Sequence, residues 1–327
     1  MYNLLPFEEI KREILVRREE ETDAKYGCAP ENRTTEELVN YGVVNIDKPK
    51  GPTSHQVSDY VQKILNIEKS GHSGTLDPGV TGVLPVALQR ATRVVEYLLT
   101  AGKEYVAIMH LHKEVEEKVL RETIQKHFLG MIKQLPPIKS SVKRQLRTRS
   151  IYYFDILEIQ GQDVLFKVGT EAGTYIRKLI HDIGLKIGCG AHMAELRRTK
   201  AGPFDESTLV NMQDLTDAYH YWKNENNDKF LRKVIQPMEN AANHLPKIWV
   251  FDTTVESMCH GVDLKVPGIS KVHSKIVSGD NVAIMSLKNE LVAIGKAKMS
   301  SAAMMGAKGL AVKTEKVFML PGTYKII

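Results

Sequence analysis

Cysteine is scarce in this sequence: Cys28, Cys189 and Cys259 are the only three, far apart and without Cys-x-x-Cys spacing. That argues against a disulfide framework and against a structural zinc held by thiolates, and it reads as a reduced, cytosolic compartment. Long apolar runs are missing as well, none approaching the ~18 residues of a membrane-spanning helix. The first twenty residues are charged and contain no apolar signal core, so no membrane association is expected. The common catalytic signatures are also absent: there is no GxxxxGK[ST] phosphate loop, no HExxH and no GxSxG. Gly188-Cys189-Gly190 is a fragment of a dinucleotide motif and reads as a turn. Simple nucleotide hydrolysis, zinc hydrolysis and serine-hydrolase chemistry all lose ground. No internal repeat and no low-complexity segment is visible.

What is present is a chain of 327 residues, 43% hydrophobic and 26% charged, with a net charge of +6. The length suits about two globular domains, and the charge favours an anionic partner. Residues 1–40 are charged without a strong period and read as a solvated helix or an arm lying on the body. The texture changes at Val43. A strand is expected over 43–47, then a basic turn over 48–52. Thr53-Ser54 should cap a helix with Val57, Val61, Ile64 and Leu65 in register. The apolar run 83–88 reads as the start of a helix whose face continues through Val95 and Leu99 to a stop at Gly102. Alternation predicts a strand over 105–111, and a helix over 116–135 follows, ending at Pro136-Pro137. Strands over 151–159 and 164–170, a helix over 174–187 and a strand over 191–199 complete the pattern. Polar helical sequence continues to about 243, and 237–246 is the best domain boundary. Beyond it only short strands are expected, at 248–251, 262–266, 281–286, 291–297 and 309–313, which suits a small β-barrel of ~80 residues.

The most unusual stretch is 71–82, where four glycines, a proline and three hydroxyls surround one carboxylate, Asp77. An Asp before Pro is pushed toward extended or turn geometry, and Gly79 and Gly82 allow tight turning and close approach of another backbone. Asp77 is therefore expected on a rigid loop with few side chains, although Asp-Pro-Gly alone can be simply a turn. Tyr175 and Arg177 stand two apart at a strand-to-helix junction, where an Arg near a carboxylate would hold it ionised; the alternative is a solvated helix start. Tyr105 could present its face to a base, or be a half-buried strand tyrosine. The segment 139–149 carries five cations, Lys139, Lys143, Arg144, Arg147 and Arg149, and no acid, which suits a phosphate backbone or a solubilising loop.

Together, Gly71-His72-Ser73-Gly74-Thr75-Leu76-Asp77-Pro78, Lys103-Glu104-Tyr105, the 136–144 segment, Gly173-Thr174-Tyr175-Ile176-Arg177 and Leu196-Arg197-Arg198-Thr199 resemble the TruB family of pseudouridine synthases. The arm, the basic 147–153 stretch and the β-rich tail resemble its archaeal dyskerin-type branch. The tail, with its 260–269 segment, resembles a PUA domain, although Val262 replaces an expected alanine. Gly79 is likewise smaller than the usual residue after Asp-Pro.

The resemblance implies an α+β protein: an N-terminal arm over 1–40 packing on the C-terminal domain, a catalytic domain over 41–246 with a mixed, mainly antiparallel sheet and flanking helices, and a PUA-like RNA-binding barrel over 247–327. It implies an isomerase that breaks the C1′–N1 bond of a uridine in RNA, rotates the base and rejoins it through C5, with no cofactor and no metal. In that reading Asp77 is the catalytic carboxylate, acting as nucleophile or as base. Tyr105 stacks on the flipped base, Arg177 pairs with Asp77, Tyr175 lies near C5 and Leu196 forms an apolar wall. Flipping the uridine out of its stack costs a few kcal/mol. His72, the basic residues of a mobile thumb over 136–149, and Gly261 and Gly268 of the tail would meet RNA. The branch implies guide-directed modification of rRNA within box H/ACA particles. The expected partners are the guide RNA, a zinc-ribbon-type protein, a β-barrel protein and, through the RNA, a kink-turn-binding protein. Guide-independent modification of the TΨC-loop uridine of tRNA is the alternative within the family, and a silent RNA-binding scaffold is the alternative outside it.

Overall fold

The computed structural model describes residues 3–136, 143–306 and 308–325. Its described strands run, in chain order, β1 (Ile14–Val16), β2 (Gly42–Lys48), β3 (Ser70–His72), β4 (Thr81–Leu88), β5 (Lys103–Leu111), β6 (Gly130–Gln134), β7 (Arg147–Gln160), β8 (Asp163–Thr170), β9 (Ala191–Ala201), β10 (Phe204–Asp205) and β11 (Gln236–Pro237). The tail adds β12 (Lys247–Val250), β13 (Leu264–Lys265), β14 (Ile269–His273), β15 (Asn281–Met285), β16 (Leu291–Ala297) and β17 (Leu310–Val317). The larger sheet has the order β11-β2-β4-β9-β5-β8-β7-β6, with β3 added to β4 and β10 to β9. Within it β4 and β9 run parallel and the other ladders are antiparallel, so the sheet is mixed and mainly antiparallel.

The helix Ser54–Ile64 forms where its signals place it. Thr53 accepts from the Gln56 N–H while the Gln56 side chain returns to the Thr53 N–H, a reciprocal cap that satisfies two end donors. Its buried face, Val57 and Val61, packs on Leu84, Val86 and Leu88 of β4. Val83 and Ala87, on the opposite face of the same strand, belong to a second core that includes Trp249, Ala283, Met285 and Leu291 of the tail. The helix expected from 83 onward is therefore a strand: β4 is covered on both faces, so its sequence is a continuous apolar run without visible alternation. Helical structure begins only at Gln89, as a 3-10 turn, and becomes the helix Val95–Thr100.

A second correction lies at 116–135. The helix is Glu117–His127, with Leu120 and Ile124 buried, and the chain then reverses into β6 at Gly130, whose φ is +82°. Phe128 and Ile132 are buried as expected, in the same core, but from a turn and a strand. The all-strand tail is corrected as well: helices Asp252–Cys259 and Ser301–Gly306 cover its sheet, and Ile269–His273 is an additional strand. The seven-stranded sheet β1-β14-β12-β15-β16-β17-β13 wraps one apolar core.

The N-terminal segment is an arm rather than a long helix. Ile14–Val16 pairs antiparallel with β14, and Thr22 and the Asp23 N–H both bond to Asp252. The arm also reaches the larger sheet: Leu5 is fully buried, and Glu8 pairs with Lys200 at 2.7 Å.

Candidate active site

The 71–82 stretch forms β3, a loop and the first residues of β4. The Val80 N–H donates to the Asp77 carbonyl at 2.9 Å, so Asp-Pro-Gly-Val is a β-turn with Pro78 at its second position. Two neighbours fix this turn. The Ser54 hydroxyl, fully buried at the start of its helix, accepts from the Leu76 N–H at 2.8 Å and donates to the Leu76 carbonyl at 3.3 Å. The Lys48 ammonium, also fully buried, donates to the carbonyls of Pro49 at 2.9 Å, Pro78 at 3.3 Å and Val80 at 2.9 Å. Burial, with Arg198 adding to it, lowers the Lys48 pKa, and nearby Asp77 raises it.

The two glycines singled out here have different reasons. A Cβ on Gly82 would lie 2.2 Å from the Arg198 carbonyl, and its φ is +103°; only glycine lets β4 approach β9 there. A Cβ on Gly79 would meet nothing within 4 Å, so the protein's own packing does not require that glycine.

Asp77 leaves the turn half-exposed and is ion-paired with Arg177, whose side chain is similarly exposed. Arg177 lies in the first turn of the helix Ile176–Ile187, which Tyr175 opens. That opening is anchored by a residue the sequence did not single out. Gln134, 2% exposed, accepts from the Tyr175 N–H at 3.0 Å and donates to its carbonyl at 3.1 Å. Tyr105 on β5 pairs across the sheet with Arg198 of β9, which in turn neighbours Gly82 of β4. Leu196 faces Ala107. Tyr105 and Leu196 are half-buried against the core that includes Ile176 and Leu179. Tyr105 and Leu196 thus share the core under the Arg177 helix, and Asp77 reaches that helix through its ion pair.

Beneath them lies a buried cationic layer. Arg198, 1% exposed, donates to the Val83 carbonyl at 2.7 Å and the Gly74 carbonyl at 3.3 Å. Lys103 donates to the carbonyls of Leu98, Leu99 and Ala101 at 2.6–2.9 Å, at the end of the helix Val95–Thr100. Burial, with Arg198 adding to it, pushes Lys103 down to about 7. Its three carbonyl acceptors oppose that shift, since only the ammonium offers three N–H donors.

The expected RNA contacts differ in their surroundings. His72 packs edge-on against His55 at 4.6 Å, and burial first, then His55 and Arg198, lower it to about 4. Lys143 and Arg144 are exposed, and Arg147 is half-buried at the start of β7. Lys139 lies outside the described residues. Arg149 is committed inward: it pairs with Glu171 at 3.7 Å and packs against Gly173, where an added Cβ would sit 3.2 Å away. In the tail, Gly261 is exposed with φ +80°, while Gly268 packs on Thr254 and its carbonyl accepts from the Phe251 N–H at 3.1 Å.

Sequence reasoning thus missed Ser54, Lys48 and Gln134 as supports of the site. Lys48 stood in a basic turn, and Ser54 beside a cap. Gln134 carried no local signal at all.

Family profiles cover almost the whole chain. The TruB family pseudouridylate synthase N-terminal domain matches residues 62–176, and the tRNA pseudouridylate synthase B C-terminal domain matches 177–243. A DKCLD (NUC011) domain matches 5–58 and a PUA domain 246–318. A probable tRNA pseudouridine synthase B from Pyrococcus horikoshii is 60% identical over 314 residues, covering 95% of this chain and 94% of the relative. The chain belongs to the TruB family of pseudouridine synthases. A relative of the same description from Methanopyrus kandleri is 54% identical over 98% of this synthase and 94% of its own length. The synthase also superposes on a chain of a crystallised Cbf5-Nop10-Gar1 complex with a TM-score of 0.94 and 56% identity over 99% of both chains. A chain from an H/ACA RNP bound to a substrate RNA containing 2′-deoxyuridine gives a TM-score of 0.91 and 55% identity, covering 98% of each. The protein is therefore an isomerase of the archaeal dyskerin type, with the pseudouridine synthase fold followed by a PUA domain.

Proposed function

We propose that this synthase is the catalytic subunit of a guide-RNA-directed H/ACA particle and isomerises uridines of rRNA at Asp77. The observation that carries this reading is the exposed Asp77–Arg177 pair on a turn braced by Ser54 and Lys48. Arg177 orients the carboxylate toward the sugar of a flipped uridine. The C1′–N1 bond breaks and a C1′–C5 bond forms; the proton on C5 is lost and N1 regains one, so no redox partner enters. Tyr105 stacks on the base, Tyr175 handles the proton at C5 and Leu196 keeps water from the ring. In this division 1–40 is the arm, 41–246 the catalytic domain and 247–327 the module that holds guide RNA through the loops at Gly261 and Gly268. His72, Lys143, Arg144 and Arg147, with Lys139 and Arg149, serve the substrate strand. The structural likeness to complexes containing Nop10, Gar1 and H/ACA RNA supports small protein partners of those kinds, with a kink-turn-binding protein joining through the RNA. The setting of this activity is the cytoplasm of an archaeal cell.

The second reading, guide-free modification of the tRNA TΨC loop, is favoured by the description of the relatives as probable tRNA pseudouridine synthases. One assay separates the readings: pseudouridine formation on an rRNA fragment and on tRNA, each with and without guide RNA and the small proteins. Product on rRNA only with the guide supports the first reading, and product on tRNA alone supports the second. Asp77→Asn should abolish both while leaving RNA binding within a few-fold; substantial turnover by that variant removes Asp77 from the mechanism.

A further inference from the structure

Three histidines gather at the end of β5 remote from Tyr105. His110 lies on β5 and His112 just beyond it, so their side chains share a face. His192 on β9 is paired directly with His110. The ring centres of His110 and His192 are 5.1 Å apart, those of His112 and His192 5.2 Å, and those of His110 and His112 6.5 Å. An ion with imidazole nitrogens at about 2.0–2.1 Å in tetrahedral directions places ring centres about 5 Å apart. Two of the three spacings already match.

The surroundings fit as well. His110 Nδ1 lies 2.7 Å from Asp163 Oδ1, the carboxylate–imidazole contact that orients a metal-ligating ring and leaves Nε2 outward. Gly190, with φ +74°, makes room for the His112 ring: a Cβ there would lie 2.7 Å from His112 Nδ1. No three ligating groups among the described residues converge on one point as they stand. His112 Nε2 and His192 Nδ1 are instead hydrogen-bonded to each other at 3.0 Å. His112 and His192 are exposed, so their rings can turn between rotamers to close the set.

We infer that His110, His112 and His192 form a surface site for one divalent transition-metal ion of the zinc type. Imidazole donors without a carbonyl or carboxylate cage suit Zn²⁺, Ni²⁺ or Cu²⁺ rather than Mg²⁺ or Ca²⁺. His110 is five residues from Tyr105 along β5, about 17 Å at the rise of a strand. The ion is therefore a clip between β5 and β9, the strands that carry Tyr105 and Leu196 further along, and takes no part in the chemistry.

The test is titration of the tag-free full chain with Zn²⁺ at neutral pH by calorimetry. One ion per chain is expected, with affinity at least tenfold weaker in His112→Ala and in His192→Ala, and about 10- to 100-fold weaker in Asp163→Asn. Added Zn²⁺ should raise the Tm of the wild type and not that of His192→Ala, which retains pseudouridine formation. Absence of binding at ~100 µM Zn²⁺ overturns the site, a bound being set there because weaker association would be non-specific. Equal binding by wild type and both histidine variants overturns it too, because the ion then sits elsewhere.

Discussion

At the residue scale, Asp77 and Arg177 form a pair that does little for stability. Both side chains are more than half exposed, and such pairs contribute at most about 1 kcal/mol. Arg177→Met should therefore leave urea unfolding within about 1 kcal/mol of wild type. The same substitution should lower kcat by about 100-fold, the order associated with losing one charge-stabilising donor. A variant that unfolds early, or one that turns over normally, would contradict that division between fold and function. His72 makes a related point: burial, with His55 and Arg198, lowers its pKa to about 4 in the free protein, so the ring is neutral before RNA arrives.

At the element scale, the helix that carries Arg177 is positioned from outside itself. It has no side-chain cap of its own, and Gln134 on β6 supplies both a donor and an acceptor to the backbone of Tyr175. Gln134→Ala should move the start of this helix and lower kcat between about 10- and 100-fold, the penalty typical of a misplaced reacting group. KM should change less, since the substitution leaves the side chains proposed to contact RNA in place; single-turnover and steady-state assays together make that split visible. The elements themselves were unevenly legible. The helix at 54–64 could be read because cap and apolar period agree locally. The strand at 81–88 could not, because two different cores cover its two faces and erase the alternation that marks a strand. The helix expected to 135 was too long because Phe128 and Ile132 keep helical spacing by coincidence, while Gly130 turns the chain.

At the scale of the whole molecule, one buried carboxylate joins three segments. Glu239, 6% exposed, takes a two-point contact from Arg33 of the arm at 2.7 and 2.9 Å. It also accepts from the Leu291 N–H of the tail at 2.9 Å. Glu239→Ala strands the Arg33 charge and should cost about 3–5 kcal/mol. The two tryptophans report on different parts, Trp222 in the helix Met212–Glu225 and Trp249 in β12. Their fluorescence should follow one urea transition in the wild type and separate in the variant. Stability should also fall in mild acid. His72, His244 and His273 are each lowered to about 4, desolvation being the largest cause in every case. Between the ordinary histidine value of 6.5 and about 4 the unfolded chain binds more protons than the folded one. The contribution is thus complete above 6.5 and is lost as the pH drops toward 4, so the urea midpoint should decline from pH 7 to pH 4.5; a flat profile would contradict these three assignments.

The sequence by itself determined what depends on local chemistry and fixed spacing: the reversal at Asp-Pro-Gly, the Thr53 cap, the Tyr-x-Arg junction and the family to which they belong. Even the candidate carboxylate was legible, since a turn without bulky side chains is what exposes Asp77. Tertiary structure alone decided what holds that carboxylate in place. Ser54, Lys48, Gln134 and Arg198 act on backbone carbonyls and amides brought near them by the parallel meeting of β4 and β9 and by the return of β6 and β7. Such contacts have no period and no motif, because a buried polar side chain is selected by whichever unpaired backbone group folding brings within about 3 Å of it. Gly79 and Gly82 were told apart in the same way: Gly82 is required by the backbone of Arg198, and Gly79 faces open space.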